Sequence, residues 1–318
     1  VQGALDQWRR GTAHAPDYDH VIDRARATYG RLVGVSADAV AVGHQVSPLV
    51  SVVATAVPDG STVLVPVGEF TSVTFPFAAQ GHRGVRVVEV PLGEIAEHVD
   101  GRTGLVALSA VQSSDGTVAP LESIARAADE HGVDVLVDLT QAVGWLAVDA
   151  GRFAYTVCGA YKWLLSPRGT AFLTVREDRL DSLVPSSAGW YAGEDRWSSI
   201  YGLPLRLASG ARRFDVSPGW QAWVGTEASL SFLEEVGVQA LQEHALGLEA
   251  VFARAAGLGA AGSAIRSLTA DRSVHSLFAG RGVVAAERAG RLRLSFHVNN
   301  TVDEVAEVGR MLRGHVVG

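Results

Sequence analysis

Lys162 stands between two aromatic residues, Tyr161 and Trp163, directly after an apolar, strand-like run from Tyr155 to Ala160. Apolar surroundings disfavour the charged form of an amine and lower its pKa, and a neutral amine forms a Schiff base with an aldehyde. Asp138 lies at the end of the preceding apolar run, Val133 to Leu139, on the carboxyl side where open α/β sheets place their ligands. A carboxylate held there keeps a pyridine nitrogen protonated, so that the ring can accept electrons. The spacing lets both groups meet one ring. Taken singly, each residue has a plainer reading: aspartate at a strand end often caps a helix, and lysine beside aromatics often snorkels at the surface.

The elements that must position this pair follow an α/β pattern. Short apolar runs, Ala39 to Val42, Thr62 to Val67, Val85 to Val90, Leu105 to Val111 and Val133 to Leu139, alternate with helix-period stretches. Continuous apolar runs, rather than in/out alternation, predict a mainly parallel central sheet covered by helices on both faces. Pro120 opens a helix over Leu121 to His131, and Thr301 with Glu304 forms a capping box for the last one. A long helix from Thr226 to about Ala256 is expected to lead from a large domain, residues 1–235, into a smaller C-terminal α+β domain, residues 236–318. Gly257, Gly259 and Gly262 spell G-x-G-x-x-G, but helical sequence precedes them where a dinucleotide fingerprint needs a strand.

With 47% hydrophobic residues the chain can bury a large core. A net charge of -7 with both signs interspersed argues against nucleic acid and anionic membranes as partners, and leaves a small molecule. The single cysteine, Cys158, allows neither an internal disulfide nor a thiolate metal cluster, and suits a cytoplasmic protein. The ten histidines show no ligand spacing, so no metal is expected. No apolar run approaches the length of a membrane span. The sequence begins at Val1 without an initiator methionine, and an upstream piece is expected to precede it.

Asp138 and Gln141, then Tyr161-Lys162, then Ser166-Pro167-Arg168-Gly169, together resemble the class V aminotransferase and desulfurase superfamily of fold type I. The resemblance implies pyridoxal 5'-phosphate (PLP) as cofactor, carried by Lys162 as a Schiff base. It implies that Asp138 pairs with the pyridinium, that Gln141 bonds near the ring's phenolic oxygen, and that Tyr161 touches the phosphate. Gly43-His44-Gln45-Val46-Ser47 resembles the phosphate loop, with His44, Gln45 and Val46 assigned by position; an ordinary strand-to-helix turn is the alternative. Phe70 stands where the family places a ring that stacks on the cofactor, or is a plain core phenylalanine. Ser113 replaces an asparagine that contacts the cofactor oxygen in many relatives. Arg212-Arg213-Phe214-Asp215-Val216-Ser217-Pro218 resembles the stretch by which one subunit completes its neighbour's phosphate site, which implies Ser217 as donor and a homodimer with the site at the subunit interface. Arg291 to Thr301 resembles the motif whose arginine grips the substrate α-carboxylate; Arg293 fits it, with Arg291 as the fallback.

Desulfurases of this superfamily need a cysteine far downstream of the lysine, and Cys158, on the strand before Lys162, is expected to be a buried core residue instead. The chain is most similar to the actinobacterial C–S lyases of ergothioneine biosynthesis, through Gly43-His44-Gln45, Ala160-Tyr161-Lys162-Trp163 and Ala188-Gly189-Trp190-Tyr191. This implies β-elimination of hercynylcysteine sulfoxide to pyruvate and ammonia. An aminotransferase or general cysteine-conjugate β-lyase, and a catalytically silent binding relative, are the alternatives. Trp190, Trp197, Trp220 and Trp223 fall with Tyr191 and Tyr201 in one stretch, which admits two readings: core and interface packing, or a distal pocket in which some of these rings, Trp190 and Tyr191 among them, bind the substrate's trimethylammonium group.

Overall fold

The apolar runs pair into one seven-stranded sheet in the computed structural model, which describes residues 1–271 and 273–317. Its strands are β1 (Val40–Gly43), β2 (Thr62–Pro66), β3 (Arg86–Val90), β4 (Thr103–Ser109), β5 (Asp134–Asp138), β6 (Tyr155–Gly159) and β7 (Ala171–Val175), in the order β1-β7-β6-β5-β4-β2-β3. The pairs from β3 through β6 are parallel, as expected of continuously apolar strands. β7 is antiparallel to both β6 and β1. The cause is the connection: residues 160–170 form a short loop rather than a crossover helix, and a short loop returns the chain beside the strand it left. That loop carries Lys162.

The helices of this part are α1 (Gln2–Arg9), α2 (Asp19–Leu32), α3 (Val46–Ala56), α4 (Thr71–Ala78), α5 (Ile95–His98), α6 (Leu121–His131) and α7 (Trp220–Val236). Val50, Val53 and Phe77 from α3 and α4 meet Val63, Val65, Leu136 and Leu173 of the sheet in one buried cluster. Burying each such side chain contributes about 1.5–3 kcal/mol against conformational entropy. The expected long helix after Thr226 is two helices: α7 stops at Val236, Gly237 takes a left-handed φ of 86°, and α8 runs over Val238–Ala256.

The chain divides into two compact units, Val1–Ala110 with Ala119–Val143 and Val148–Glu235, and Val111–Val118 with Gly144–Ala147 and Val236–Gly318. Two short segments from before residue 235 therefore join the second unit. That unit has a four-stranded sheet, β8 (Ile265–Ala270), β9 (Ala286–Arg288), β10 (Arg291–Ser295) and β11 (Val316–Val317), ordered β11-β8-β10-β9. Its helices are α8, α9 (Ser273–Ala279) and α10 (Val302–Leu312), and the Thr301–Glu304 capping box opens α10. Leu248, Phe252, Leu268, Phe296 and Leu312 form its core. Gly257 is the left-handed cap that ends α8, which gives the G-x-G-x-x-G stretch a turn-forming role. Among the described residues no helix is long and apolar enough to cross a membrane.

Candidate active site

The chain changes direction across the large sheet between β2 and β4, and the parallel strands β2, β4, β5 and β6 have their carboxyl ends along the same edge of it. Such switch points are where open α/β sheets hold ligands. Asp138 ends β5 and is buried. Its Oδ1 accepts the Thr140 backbone N–H at 2.8 Å, and the Thr140 hydroxyl accepts the Gly159 N–H at 2.9 Å, tying the ends of β5 and β6 together. Burial pushes the Asp138 carboxyl up to about 6; the Thr140 hydrogen bonds and the charge of Lys162 pull it down, and the charge of Glu69 pushes it further up.

Lys162 sits in the β6–β7 loop, pinned by Ala160 N–H to Thr170 O, Ser166 N–H to Ala160 O and Leu165 N–H to Lys162 O. Leu165 adopts φ 55°, a left-handed conformation uncommon for a side chain with a Cβ, so local strain accompanies the lysine turn. Nζ of Lys162 lies 5.5 Å from the Phe70 ring centroid and 6.0 Å from that of Tyr161. Phe70 is 43% exposed, which rules out the plain core reading and leaves a ring face open beside the amine. The Tyr161 ring packs over Gly159, where a Cβ would stand 3.1 Å from the ring and 3.4 Å from the Val46 side chain. Arg168 covers the Tyr161 ring at 4.3 Å.

The remaining predicted residues are placed as follows. Gln141 is buried, and its Oε1 accepts the Trp163 indole N–H at 2.9 Å, which turns the amide's donor side away from Trp163. Val46 begins α3, while His44 and Gln45 are exposed in the turn before it and Gln45 makes no side-chain cap. Ser217 is exposed on a segment held against β1: Asp215 accepts the Val42 N–H at 2.8 Å and pairs with the buried Arg26 at 2.6 Å, and Val216 N–H reaches Val42 O. In the second unit, Arg293 Nη1 donates to the carbonyl and hydroxyl oxygens of Ser113 at 2.5 and 3.2 Å. Burial pulls the Arg293 guanidinium below its ordinary value, and the charge of Arg288 adds to this. Arg291, the fallback, donates to Ser267 and Thr269 across the β10–β8 pair.

The aromatic cage is corrected. Trp223 is in the core, edge-on to Phe172, and Trp220 stacks on Tyr18 at 5.6 Å. Tyr201 is fully out in solvent. Tyr191 is buried, its hydroxyl donates to Asp19, and the Arg196 guanidinium covers its ring at 4.5 Å, so no face remains for a substrate cation. Trp190 packs edge-on to Tyr191 and 5.0 Å from Trp197, whose indole N–H also donates to Asp19. Trp190, Tyr191 and Trp197 pack on one another, whereas Trp220, Trp223 and Tyr201 go elsewhere, so the six rings do not form one cage.

Sequence reasoning missed Glu69, a buried carboxylate immediately before Phe70. An acid directly after an apolar strand and a turn was its signal. Its Oε1 accepts the Phe70 N–H at 2.7 Å and the Ser109 hydroxyl at 2.6 Å, and its Oε2 accepts the Ser109 N–H at 2.7 Å. Among the described residues no group of three or more His, Cys, Asp or Glu side chains is placed to hold a metal ion.

Residues 19–256 match the family described as Aminotransferase class-V. The chain is 28% identical over 303 residues to the uncharacterized aminotransferase YcbU of Bacillus subtilis (strain 168), covering 88% of this chain and 80% of that protein. It is 31% identical over 153 residues to isopenicillin N epimerase of Streptomyces clavuligerus, 44% of this chain and 37% of the relative. A probable cysteine desulfurase of Methanothermobacter thermautotrophicus is 27% identical over 240 residues, 71% of this chain and 58% of the relative. Among solved structures, the complex of the cystine C–S lyase C-DES with cysteine persulfide superposes with a TM-score of 0.85 at 19% identity, covering 94% of this chain and 88% of that one. The apo cysteine desulfurase of Thermococcus onnurineus NA1 gives 0.83 at 17% identity, covering 98% and 90%.

Proposed function

This chain belongs to the class V aminotransferase family, and on that premise we propose that it is a PLP-dependent carbon–sulfur lyase that cleaves hercynylcysteine sulfoxide by β-elimination. The observation that carries the reading is Cys158. It is the one cysteine of the sequence, it is wholly buried on β6, and burial pushes its thiol up, so it offers no thiolate to receive sulfur. Where the Cβ–S bond is cleaved, sulfur then leaves with the departing fragment, which is elimination. The likeness of Gly43-His44-Gln45, Ala160-Tyr161-Lys162-Trp163 and Ala188-Gly189-Trp190-Tyr191 to the ergothioneine C–S lyases supports this substrate among cysteine conjugates.

The residues fit the cofactor. Asp138 carries a burial cost that a protonated ring nitrogen would offset, Phe70 presents an open ring face, and Lys162 lies between Phe70 and Tyr161. Bound PLP supplies a ring that accepts the electron pair left when the α-proton departs. Asp138 holds the proton on the pyridine nitrogen. Lys162 would hold the cofactor through its Nζ, and the same amine, when free, would take the substrate α-proton as general base. Gln141, whose Oε1 is taken by the Trp163 indole N–H, would have its amide N–H₂ to offer the cofactor's phenolic oxygen. His44, Gln45 and Val46 at the start of α3, with Tyr161, hold the phosphate; Ser217 serves the phosphate of a partner subunit in a homodimer. Ser113 and Arg293 act as a pair, Arg293 gripping the α-carboxylate. The Cβ–S bond breaks with its electrons on sulfur, which departs as a sulfenate, and the remaining three-carbon enamine hydrolyses to pyruvate and ammonia.

The test is the visible absorption of the purified chain with added PLP, for wild type and Lys162→Ala, followed by hercynylcysteine sulfoxide and a pyruvate assay. A lysine-dependent band with pyruvate release is the expected result. A lysine-dependent band without pyruvate moves the chemistry to transamination or another conjugate, and no band overturns the enzyme.

A further inference from the structure

Glu69 belongs to none of the roles above, yet it sits where the chain reverses across the sheet. It follows the turn out of β2, is buried while its neighbour Phe70 is 43% exposed, and so points inward while Phe70 points toward Lys162. Its two oxygens take three short hydrogen bonds, from Phe70 N–H, Ser109 N–H and the Ser109 hydroxyl. Ser109 ends β4, and its register partner on β5 is Asp138; the next residue, Ala110, donates its N–H to the Asp138 carbonyl at 2.9 Å. One carboxylate thus ties the backbone of the ring-bearing residue to the strand beside the acid. Hydrogen bonds to an ionised acceptor in a buried setting are stiff and costly to leave unmade.

We propose that Glu69 is a positioning residue, which sets the Phe70 ring against the cofactor by fixing the start of α4 to the end of β4. The proposal rests on PLP being carried by Lys162 and is independent of the substrate. Phe70 is the N-cap of α4 with no side-chain cap of its own, so the Glu69 carboxylate holds the backbone from which the ring projects. With Glu69→Gln an amide N–H₂ faces a donor, either the Ser109 N–H or the paired Phe70 N–H and Ser109 hydroxyl. The start of α4 is then released while the ring itself is retained.

The experiment titrates apoprotein with PLP and reads the dissociation constant and the circular dichroism of the bound cofactor for wild type, Glu69→Gln, Phe70→Ala and the double variant. Glu69→Gln is expected to weaken PLP binding about tenfold and to reduce the cofactor's dichroism. In the Phe70→Ala background the same change is expected to cost less than about twofold, because residues acting as one unit are not additive. Should Glu69→Gln fail to fold, Ser109→Ala removes one of the three donors and decides the matter in the same cycle. Wild-type binding and dichroism in the folded variant, or losses that multiply in full, overturn the proposal. Failure of the cofactor reading looks different, since wild type itself then shows no lysine-dependent band.

Discussion

Lys162 and Arg196 each face aromatic rings, yet the two cations are surrounded differently. Around Lys162 the Phe70 and Tyr161 rings stand back at 5.5 and 6.0 Å, and Phe70 keeps an open face. Around Arg196 the Tyr191 ring is at 4.5 Å, Asp23 takes both guanidinium Nη atoms, and Asp19 receives Tyr191 and Trp197. In the first cluster the Phe70 ring keeps an exposed face beside the amine; in the second the groups satisfy one another. Aromatic density beside a cation is therefore no guide to binding until the faces already covered have been counted out.

The sharpest way to break this contrast is Lys162→Ala, which should lower turnover by about a thousandfold or more and abolish the cofactor band while leaving apoprotein melting nearly unchanged. Next in size is Asp138. Its folded carboxyl titrates at about 6 against an ordinary 3.8, so the native state holds its proton longer than the unfolded chain. That stability is present below about pH 4 and is lost as pH rises through 6, roughly 3 kcal/mol in all. Denaturant melts of the apoprotein should show this slope in wild type and not in Asp138→Asn, and saturation with PLP should flatten it. Arg196→Ala should destabilise the fold by about 2 kcal/mol and leave PLP affinity within twofold of wild type. A comparable loss of PLP affinity would erase the distinction between the clusters. Trp197→Leu should cost about 1 kcal/mol in thermal melts through lost packing, with no change in discrimination between a trimethylammonium substrate and its demethylated analogue.

The α/β architecture and the Asp138–Lys162 pair were legible because both are local: strand-end position and neighbouring residue types stand in the sequence itself. Arg293 stands out in sequence only by its motif, and the structure adds a contact no motif encodes, its hydrogen bond to Ser113. The Glu69–Ser109 tie, the Trp163–Gln141 bond and the Asp19–Arg196 cluster join residues whose meeting is decided by strand order, which no local pattern encodes. The break at Gly237 was misread because helical periodicity continues on both sides of it, and one glycine with a positive φ suffices to interrupt it.

Cys158 has a use apart from catalysis. As the one thiol of the sequence, sealed at the centre of the large sheet, it can react with a thiol reagent when β6 parts from its neighbours and at no other time. Its labelling rate is a native clock for the opening of the sheet. Any ligand that clasps the ends of β5 and β6 should slow that clock in proportion to how tightly it binds the closed form.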